Sequence, residues 1–279
     1  SAGAALTEGN RNVAIGKDSL LTDTLGSRSV AVGLGALQSQ NLTTATDVYN
    51  TGVGHAAGNQ ITTGTNNTLV GGLAGDALTD ADFNVAIGYA ALTSDTLGSR
   101  SVAIGHSALN NQNFTTATDA YNTAVGFTAG QSITTGIQNT LIGADAGDAI
   151  TTGSYNSALG GDSLTTNILS SHNVAIGQSA LFTHNTATAT NGYNTAVGSA
   201  AGALVTTGVE NTIMGGLAAD ALTTGSSNVA LGYVALTADT VGSKTVAVGF
   251  RSLGSQNYGT ATDTFNTAVG YDSGRSVTT

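Results

Sequence analysis

Polar and apolar residues alternate in short bursts that recur at fixed distances along the whole chain. In Asn84-Val85-Ala86-Ile87-Gly88 the Val and Ile fall on one face of an extended segment and the Asn and Ala on the other, as in a β-strand. The same burst of three mostly apolar residues closes on Gly16, Gly33, Gly54, Gly71, Gly88, Gly105, Gly126, Gly143, Gly160, Gly177, Gly198, Gly215, Gly232, Gly249 and Gly270. The steps cycle through 17, 21, 17 and 17 residues, which makes a superrepeat of 72. Periods of this size belong to stacked repeats, each unit unable to bury its apolar face alone. Segments such as Thr62-Thr63-Gly64 and Thr135-Gly136 supply turns between bursts. A helix fits poorly, because Gly and β-branched residues crowd every helical face. The pattern predicts an all-β β-solenoid, a β-roll or β-helix of about fifteen 17- or 21-residue rungs. At about 4.8 Å per rung it would form a rod about 70 Å long.

The repeat aligns the chain with itself, so each position in the rung reads as a column. The residue before the marker glycine is always aliphatic, from Ile15, Val32 and Val53 to Met214 and Val269, and is expected to be the buried column. Three residues after the glycine only Ala or Ser occurs (Ser19, Ala36, Ala57, Ala74 and onward to Ser273), so that column must face something close. Four residues before the glycine stands Asn in twelve of fifteen rungs, replaced by Ser29, Ser101 and Thr245. Stacked Asn side chains tolerate left-handed turns and form ladders between rungs. Leu20, Leu37, Gly58 and Gly75 begin a fourth column that cycles with the 72-residue period, so bulky rung pairs alternate with slim ones.

Composition narrows the function classes. Charged residues make up 9% of the chain and the formal charge is −10, which disfavours nucleic-acid binding, a matter of Lys and Arg against phosphate. The absence of cysteine excludes a disulfide framework and thiolate metal sites. No stretch approaches the roughly 20 apolar residues of a membrane span, so no membrane insertion is expected. Residues 1–279 read as one repetitive shaft with superrepeats 12–83, 84–155, 156–227 and an incomplete 228–279. Because the last rung stops short, the chain is expected to be a fragment of a longer protein. Each rung offers few sizeable apolar side chains, so a second source of burial is expected. Chains wound side by side would supply it, with the Ala/Ser column or part of the aliphatic face at a shared axis. A self-contained monomeric solenoid is the alternative.

Asn84-Val85-Ala86-Ile87-Gly88-Tyr89-Ala90-Ala91-Leu92 and Asn228-Val229-Ala230-Leu231-Gly232-Tyr233-Val234-Ala235-Leu236 resemble the Asn-Thr-Ala-Ile-Gly-Tyr-x-Ala-Leu repeats of phage and marine-virus tail fibres. Those repeats are similar in turn to the head repeats of trimeric autotransporter adhesins, which form parallel trimers. The resemblance covers essentially all fifteen rungs and implies a parallel homotrimer, at the cell surface or on a virion. No catalytic residue belongs to such repeats.

Candidate recognition sites are two sets of aromatics. The variable column after the marker glycine carries Tyr89, Phe127, Tyr233, Phe250 and Tyr271, a plausible binding stripe or a packing face for a neighbouring chain. The four-residue insertions, Thr43-Thr44-Ala45-Thr46-Asp47-Val48-Tyr49 and its counterparts, end on Tyr49, Tyr121, Tyr193 and Phe265. Beside hydroxyls and a carboxylate these could bind sugar with avidity; the simpler expectation is that each folds over the bulge and covers the slim glycine rungs. Asp23 with Arg28, Asp95 with Arg100 and Asp239 with Lys244 are expected to pair across a turn, replaced together by Asn167 and His172 in the third superrepeat. His55, His106, His172 and His184 have no metal-site spacing, and the acids around Asp145 and Asp148 form no dense calcium loop. No metal, cofactor or catalytic constellation is expected.

The function read from the sequence is structural: a fibre or adhesin shaft, extracellular, on a virion tail fibre or a bacterial surface. It would hold a receptor-binding element toward a host-surface glycan or protein receptor. The alternative is a monomeric solenoid that binds a repetitive surface, ice or polysaccharide. A regular ice face needs a Thr pair on every rung, whereas Thr-x-Thr falls mainly in insertions such as Thr44-Ala45-Thr46 and Thr186-Ala187-Thr188. A polysaccharide hydrolase would need carboxylates facing each other about 5–9 Å apart, and the acids here are scattered.

Overall fold

A computed structural model describes all 279 residues. The chain is all-β, a solenoid of about fifteen turns, in two compact units of contiguous sequence, Ser1–Gln138 and Asn139–Thr279. The first unit contains β1 (Val13–Ile15), β2 (Gly26–Ser27), β3 (Val30–Val32), β4 (Thr46–Asp47), β5 (Thr51–Val53), β6 (Thr68–Val70), β7 (Val85–Ile87), β8 (Gly98–Ser99), β9 (Val102–Ile104), β10 (Thr118–Asp119) and β11 (Thr123–Val125). The second contains β12 (Thr140–Ile142), β13 (Ser157–Leu159), β14 (Val174–Ile176), β15 (Thr195–Val197), β16 (Thr212–Met214), β17 (Val229–Leu231), β18 (Gly242–Ser243), β19 (Val246–Val248), β20 (Thr262–Asp263) and β21 (Thr267–Val269). Within each unit every three-residue strand pairs in parallel with the next one in strict register, as Val85 with Val102 and Ile87 with Ile104. Small secondary pairs, β2 with β4, β8 with β10 and β18 with β20, tie three of the four 21-residue turns to the turn before, and in the third superrepeat a single bridge between Ser171 and Asn191 does so.

Three columns fix which way the side chains point. The Asn column is fully buried from Asn50 to Asn228, and only its end members Asn12 and Asn266 are half-buried. Asn50 Oδ1 accepts the backbone N–H of Asn67 at 2.9 Å, while Asn50 Nδ2 donates to the Gly64 carbonyl at 2.7 Å. Asn67 repeats both bonds with Asn84 and Ala81, so each side chain serves its own turn and the next. With Asn inside, strand alternation puts the middle strand residue inside as well: Ala31, Leu69, Ala86, Leu141, Ala158 and Ile213 are all buried. The Ala/Ser column is buried too, facing the solenoid's own interior rather than another chain. It is small because two walls of one narrow turn meet there.

The aliphatic column before the marker glycine therefore points outward, opposite to the sequence expectation. Leu159 is 47% exposed, Met214 45% and Ile87 37%. Size misleads as a guide to burial here: the narrow interior takes Ala at most mid-strand positions and a larger aliphatic only at a few, Leu69, Leu141 and Ile213, so the unbroken aliphatic column has to lie outside.

The interior instead gets its bulk from alternation. Leu37, Leu92, Leu109 and Leu181 are fully buried although their φ angles lie near +50°. In the slim turns a Cβ on Gly58 would stand 2.6 Å from Leu69 and 3.1 Å from Ile61, so those aliphatics already fill the space. Gly75 meets Leu69 and Leu78, and Gly147 meets Ile150 and Leu141, in the same way.

Candidate functional site

The outward face of the strands is a strip two residues wide. On one side of each buried mid-strand residue stands Val, Thr or Ser, on the other Ile, Val, Leu or Met, and none of these positions carries a charge. Seven of the fifteen strands present Thr first: Thr51, Thr68, Thr123, Thr140, Thr195, Thr212 and Thr267. None of their hydroxyls makes a hydrogen bond within the chain, although Thr22, Thr62, Thr79, Thr206 and Thr223 elsewhere bond the carbonyls of neighbouring turns. The strip thus combines methyl groups with unspent donors.

Two aromatic columns flank it. After the marker glycine, Tyr89, His106 and Phe127 stack with centroids 5.4 and 5.3 Å apart, and Tyr233, Phe250 and Tyr271 with 5.9 and 4.9 Å. Tyr89, Phe127, Tyr233 and Tyr271 are exposed, and Phe250 is half-buried between its two neighbours. The rings meet because parallel pairing in register repeats each column about every 4.8 Å, close to a stacking distance. Gly72 and Gly216 leave room on the preceding turn, where a Cβ would sit 3.5 Å from Tyr89 and 3.4 Å from Tyr233.

The second column lies just before the Asn ladder and contains the insertion aromatics. Tyr49, Tyr121, Tyr193 and Phe265 do not fold over the glycine turns; they are exposed, Tyr121 by 50%. Their turn adopts positive φ at this position, 51° at Tyr121 and 54° at Phe265, which swings the side chain out of the solenoid. The glycine turns have no gap for a ring, being filled by Ile61, Leu78, Ile133 and Ile150. Outside, the aromatics stack with cations. The Arg100 guanidinium lies 4.9 Å from the Phe83 ring centre and 5.9 Å from that of Tyr121. Arg28 covers Tyr49 at 5.5 Å and Lys244 covers Phe265 at 5.3 Å. In the third superrepeat His172 lies between Tyr155 and Tyr193, at 4.8 and 5.2 Å.

The cations also choose partners other than those the sequence suggested. Arg28 pairs with Asp47 at 2.7 Å, Arg100 with Asp119 at 3.0 Å and Lys244 with Asp263 at 2.7 Å, all acids of the insertions. Asp23, Asp95 and Asp239 are fully buried instead. Asp95 Oδ1 accepts the N–H groups of Gly98 at 3.0 Å and Phe114 at 3.2 Å, and Oδ2 accepts from Gln112 Nε2 at 2.5 Å. Burial pushes the Asp95 carboxyl above the usual carboxylate range, against the pull of those donors. Gln112 Oε1 accepts from Asn122 at 2.8 Å, which ties this clamp into the Asn ladder. Asp23 with Gln40 and Asp239 with Gln256 repeat it.

The third superrepeat substitutes both members. Asn167 bonds the backbone of Ser170, and His184, fully buried, approaches Ser170 Oγ with Nε2 at 3.1 Å while Nδ1 has no partner. Burial lowers the His184 pKa to about 4. This interior column, seven residues after the marker glycine, went unread in the sequence. Its signal is there: Asp23, Gln40, Ile61 and Leu78, then Asp95, Gln112, Ile133 and Ile150, cycle in step with the Leu/Gly column.

The structure has no cavity and no group of three His, Cys, Asp or Glu side chains placed to hold a metal ion. No helix is long and apolar enough to cross a membrane. The features available for contact are the strip and its two aromatic borders. Comparison with family models, with curated proteins and with solved structures finds no match to this chain.

Proposed function

We propose that the chain is a fibre or adhesin shaft, a self-associating spacer that carries a receptor-binding element of a virion or bacterial surface toward a host. The observation that carries this reading is the uncharged strip, repeated on every turn and left facing water by a single copy. Contiguous apolar surface of this kind marks an interaction site. The adhesin repeats that this chain's pattern resembles form parallel trimers, and such an arrangement here would answer the burial deficit of so thin an interior. The flanking aromatics, Tyr49, Tyr121, Tyr193 and Phe265 among them, remain available for glycan or protein contact.

A second reading rests on the seven free Thr hydroxyls. Regularly spaced hydroxyls and methyls on a parallel sheet suit an ordered, repetitive surface such as ice. The strip is irregular for that purpose, since Leu159, Met214 and Leu231 interrupt the β-branched column and Val replaces Thr on alternate pairs of turns.

Light scattering on a sizing column separates the two. The shaft reading expects a mass near 82 kDa, about three times the 27.4 kDa of the chain. A mass near 27 kDa together with measurable thermal hysteresis would establish the second reading in its place.

A further inference from the structure

We infer that the turns of Gly72 and Gly216 each form a slot for one neutral sugar ring, stacked on the open face of Tyr89 or Tyr233. A spacer needs no such site, so this adds a binding function to the shaft reading and does not depend on it. Most rings of the molecule show only their edges. By register, Tyr49 stands between Arg28 and Asn66, Tyr121 between Arg100 and Gln138, and Tyr193 between His172 and Glu210. Tyr89 and Tyr233 differ. Each stacks on one side only, with His106 or Phe250, and they are 55% and 54% exposed. The turn on the other side carries glycine in the ring column.

The backbone does not require either glycine. Neither Gly72 nor Gly216 has a positive φ. An added Cβ would make ordinary contacts, 3.5 Å from Tyr89 and 3.4 Å from Tyr233. Other turns fill the same place with Lys17, Gln178 or Phe250. What remains is a gap one turn high, between His55 and Tyr89 in one unit and between Ser199 and Tyr233 in the other. A ring placed there has a neighbour about 4.8 Å away on either side. The chain's own rings keep 5.4 and 5.3 Å. Leucine follows both glycines, as Leu73 and Leu217, and occurs nowhere else in that column. Both have positive φ, 59° and 53°, and neither is buried, so neither conformation nor the core accounts for them. The third superrepeat lacks the slot: Ala144 and Asp145 replace Gly-Leu, and Gly161 replaces the tyrosine.

The walls select the ligand. One is the face of a tyrosine, whose negative π-cloud attracts the C–H groups on the flat side of a pyranose. The other is a hydrogen-bonding side chain, His55 or Ser199, suited to the hydroxyls at a sugar's edge. An aromatic ligand would leave that wall unused. Val70 with Leu73, or Met214 with Leu217, adds apolar surface beside the glycine. Such a mixture, mostly apolar with a few placed polar groups, fixes a ligand's orientation. None of these residues is Lys, Arg, Asp or Glu, and the chain carries −10, so a phosphorylated or acidic ring finds nothing to pair with.

Gly72→Gln with Gly216→Gln fills both slots with a residue the column already holds at Gln178. Tyr89→Ser with Tyr233→Ser removes both platforms, as at Ser199, and Tyr89→Phe with Tyr233→Phe keeps the rings. Each protein is titrated by saturation-transfer NMR with cellohexaose, maltohexaose and chitohexaose, and with indole. Circular dichroism checks that the fold is kept. The parent is expected to bind at least one of the sugars with a Kd of about 1 mM or tighter. The Gln and Ser pairs should weaken this by more than about tenfold, and the Phe pair by less than about twofold. Failure of all three sugars to bind, or equal binding once the slots are filled, overturns the proposal. Binding of indole alone overturns the choice of ring. Light scattering of the same samples keeps the two readings apart. A monomer that binds a sugar retains the slot and loses the shaft, and a trimer that binds none does the reverse.

Discussion

A glycine that closes a strand in this chain works under a constraint that side-chain chemistry cannot relax. Gly105 has φ +136°, and a Cβ built on it would lie 2.1 Å from the carbonyl oxygen of Gly126 on the next turn. Neither backbone can move without breaking the register of β9 and β11. Gly105→Ala is therefore expected to cost more than about 3 kcal/mol, since positive φ strain and a backbone clash add. Gly259→Ala, with nothing within 4 Å of the added methyl, is expected to stay within about 0.5 kcal/mol. Urea unfolding of the two variants checks the contrast. The marker glycines were legible in the sequence because spacing alone reveals them. The direction of the residue beside each was not, since Val-Ala-Ile alternates equally well with either face inward. The buried Asn decides it, and a polar residue gives no sequence hint that it will be the inward one.

At the scale of the single turn, the long and short turns differ by what clamps them. Asp95 and Gln112 hold the inserted loop through Gly98 and Phe114, and the third superrepeat does the same work with Asn167, Ser170 and His184. That exchange makes one turn sensitive to acid. His184 is neutral in the folded state with a pKa of about 4, against an ordinary value of 6.5. The unfolded chain takes up a proton below about pH 6.5 and the folded chain only near pH 4, so stability falls as pH drops through this window. The loss reaches at most about 3 kcal/mol at its lower end. Replacing His184 with Gln, the residue at the same place in Gln40, Gln112 and Gln256, is expected to remove the extra loss between pH 6.5 and 4.5 in urea midpoints. An equal pH response in both proteins would refute the assignment. The pairing of acids was misread from the sequence for a related reason. Asp95 and Arg100 are near in the chain, but Asp95 lies inside and Arg100 outside, and Arg100 finds Asp119 on the following turn.

For the molecule as a whole, the period is the most informative property, and the sequence carries it openly. The number of turns, their parallel stacking and the Asn ladder all follow from column reading. The aromatic borders were legible as residues and not as surfaces, because their outward swing depends on positive φ at Tyr121, Tyr193 and Phe265. If a superrepeat is the modular quantity, removal of residues 156–227 should join Tyr155 to Asn228 with every column preserved. The shortened chain is expected to keep its β circular dichroism and a single cooperative melt. Loss of either would mean that the turns depend on more than their immediate neighbours, contrary to the additive energetics of stacked repeats.

The two aromatic columns have one further property. Their positions are fixed by backbone that other columns hold in place, and the residues occupying them range from Lys17 and Gly72 to Tyr89 and Gln178 in one, and from Arg28 to Glu210 in the other. Structure and surface chemistry are thus written in separate letters of the same repeat. Selection can rewrite what the chain displays, turn by turn at a pitch of about 4.8 Å, without touching the residues that fold it. Such a chain is an addressable array, and two proteins built on it could differ completely in what they bind while sharing one backbone.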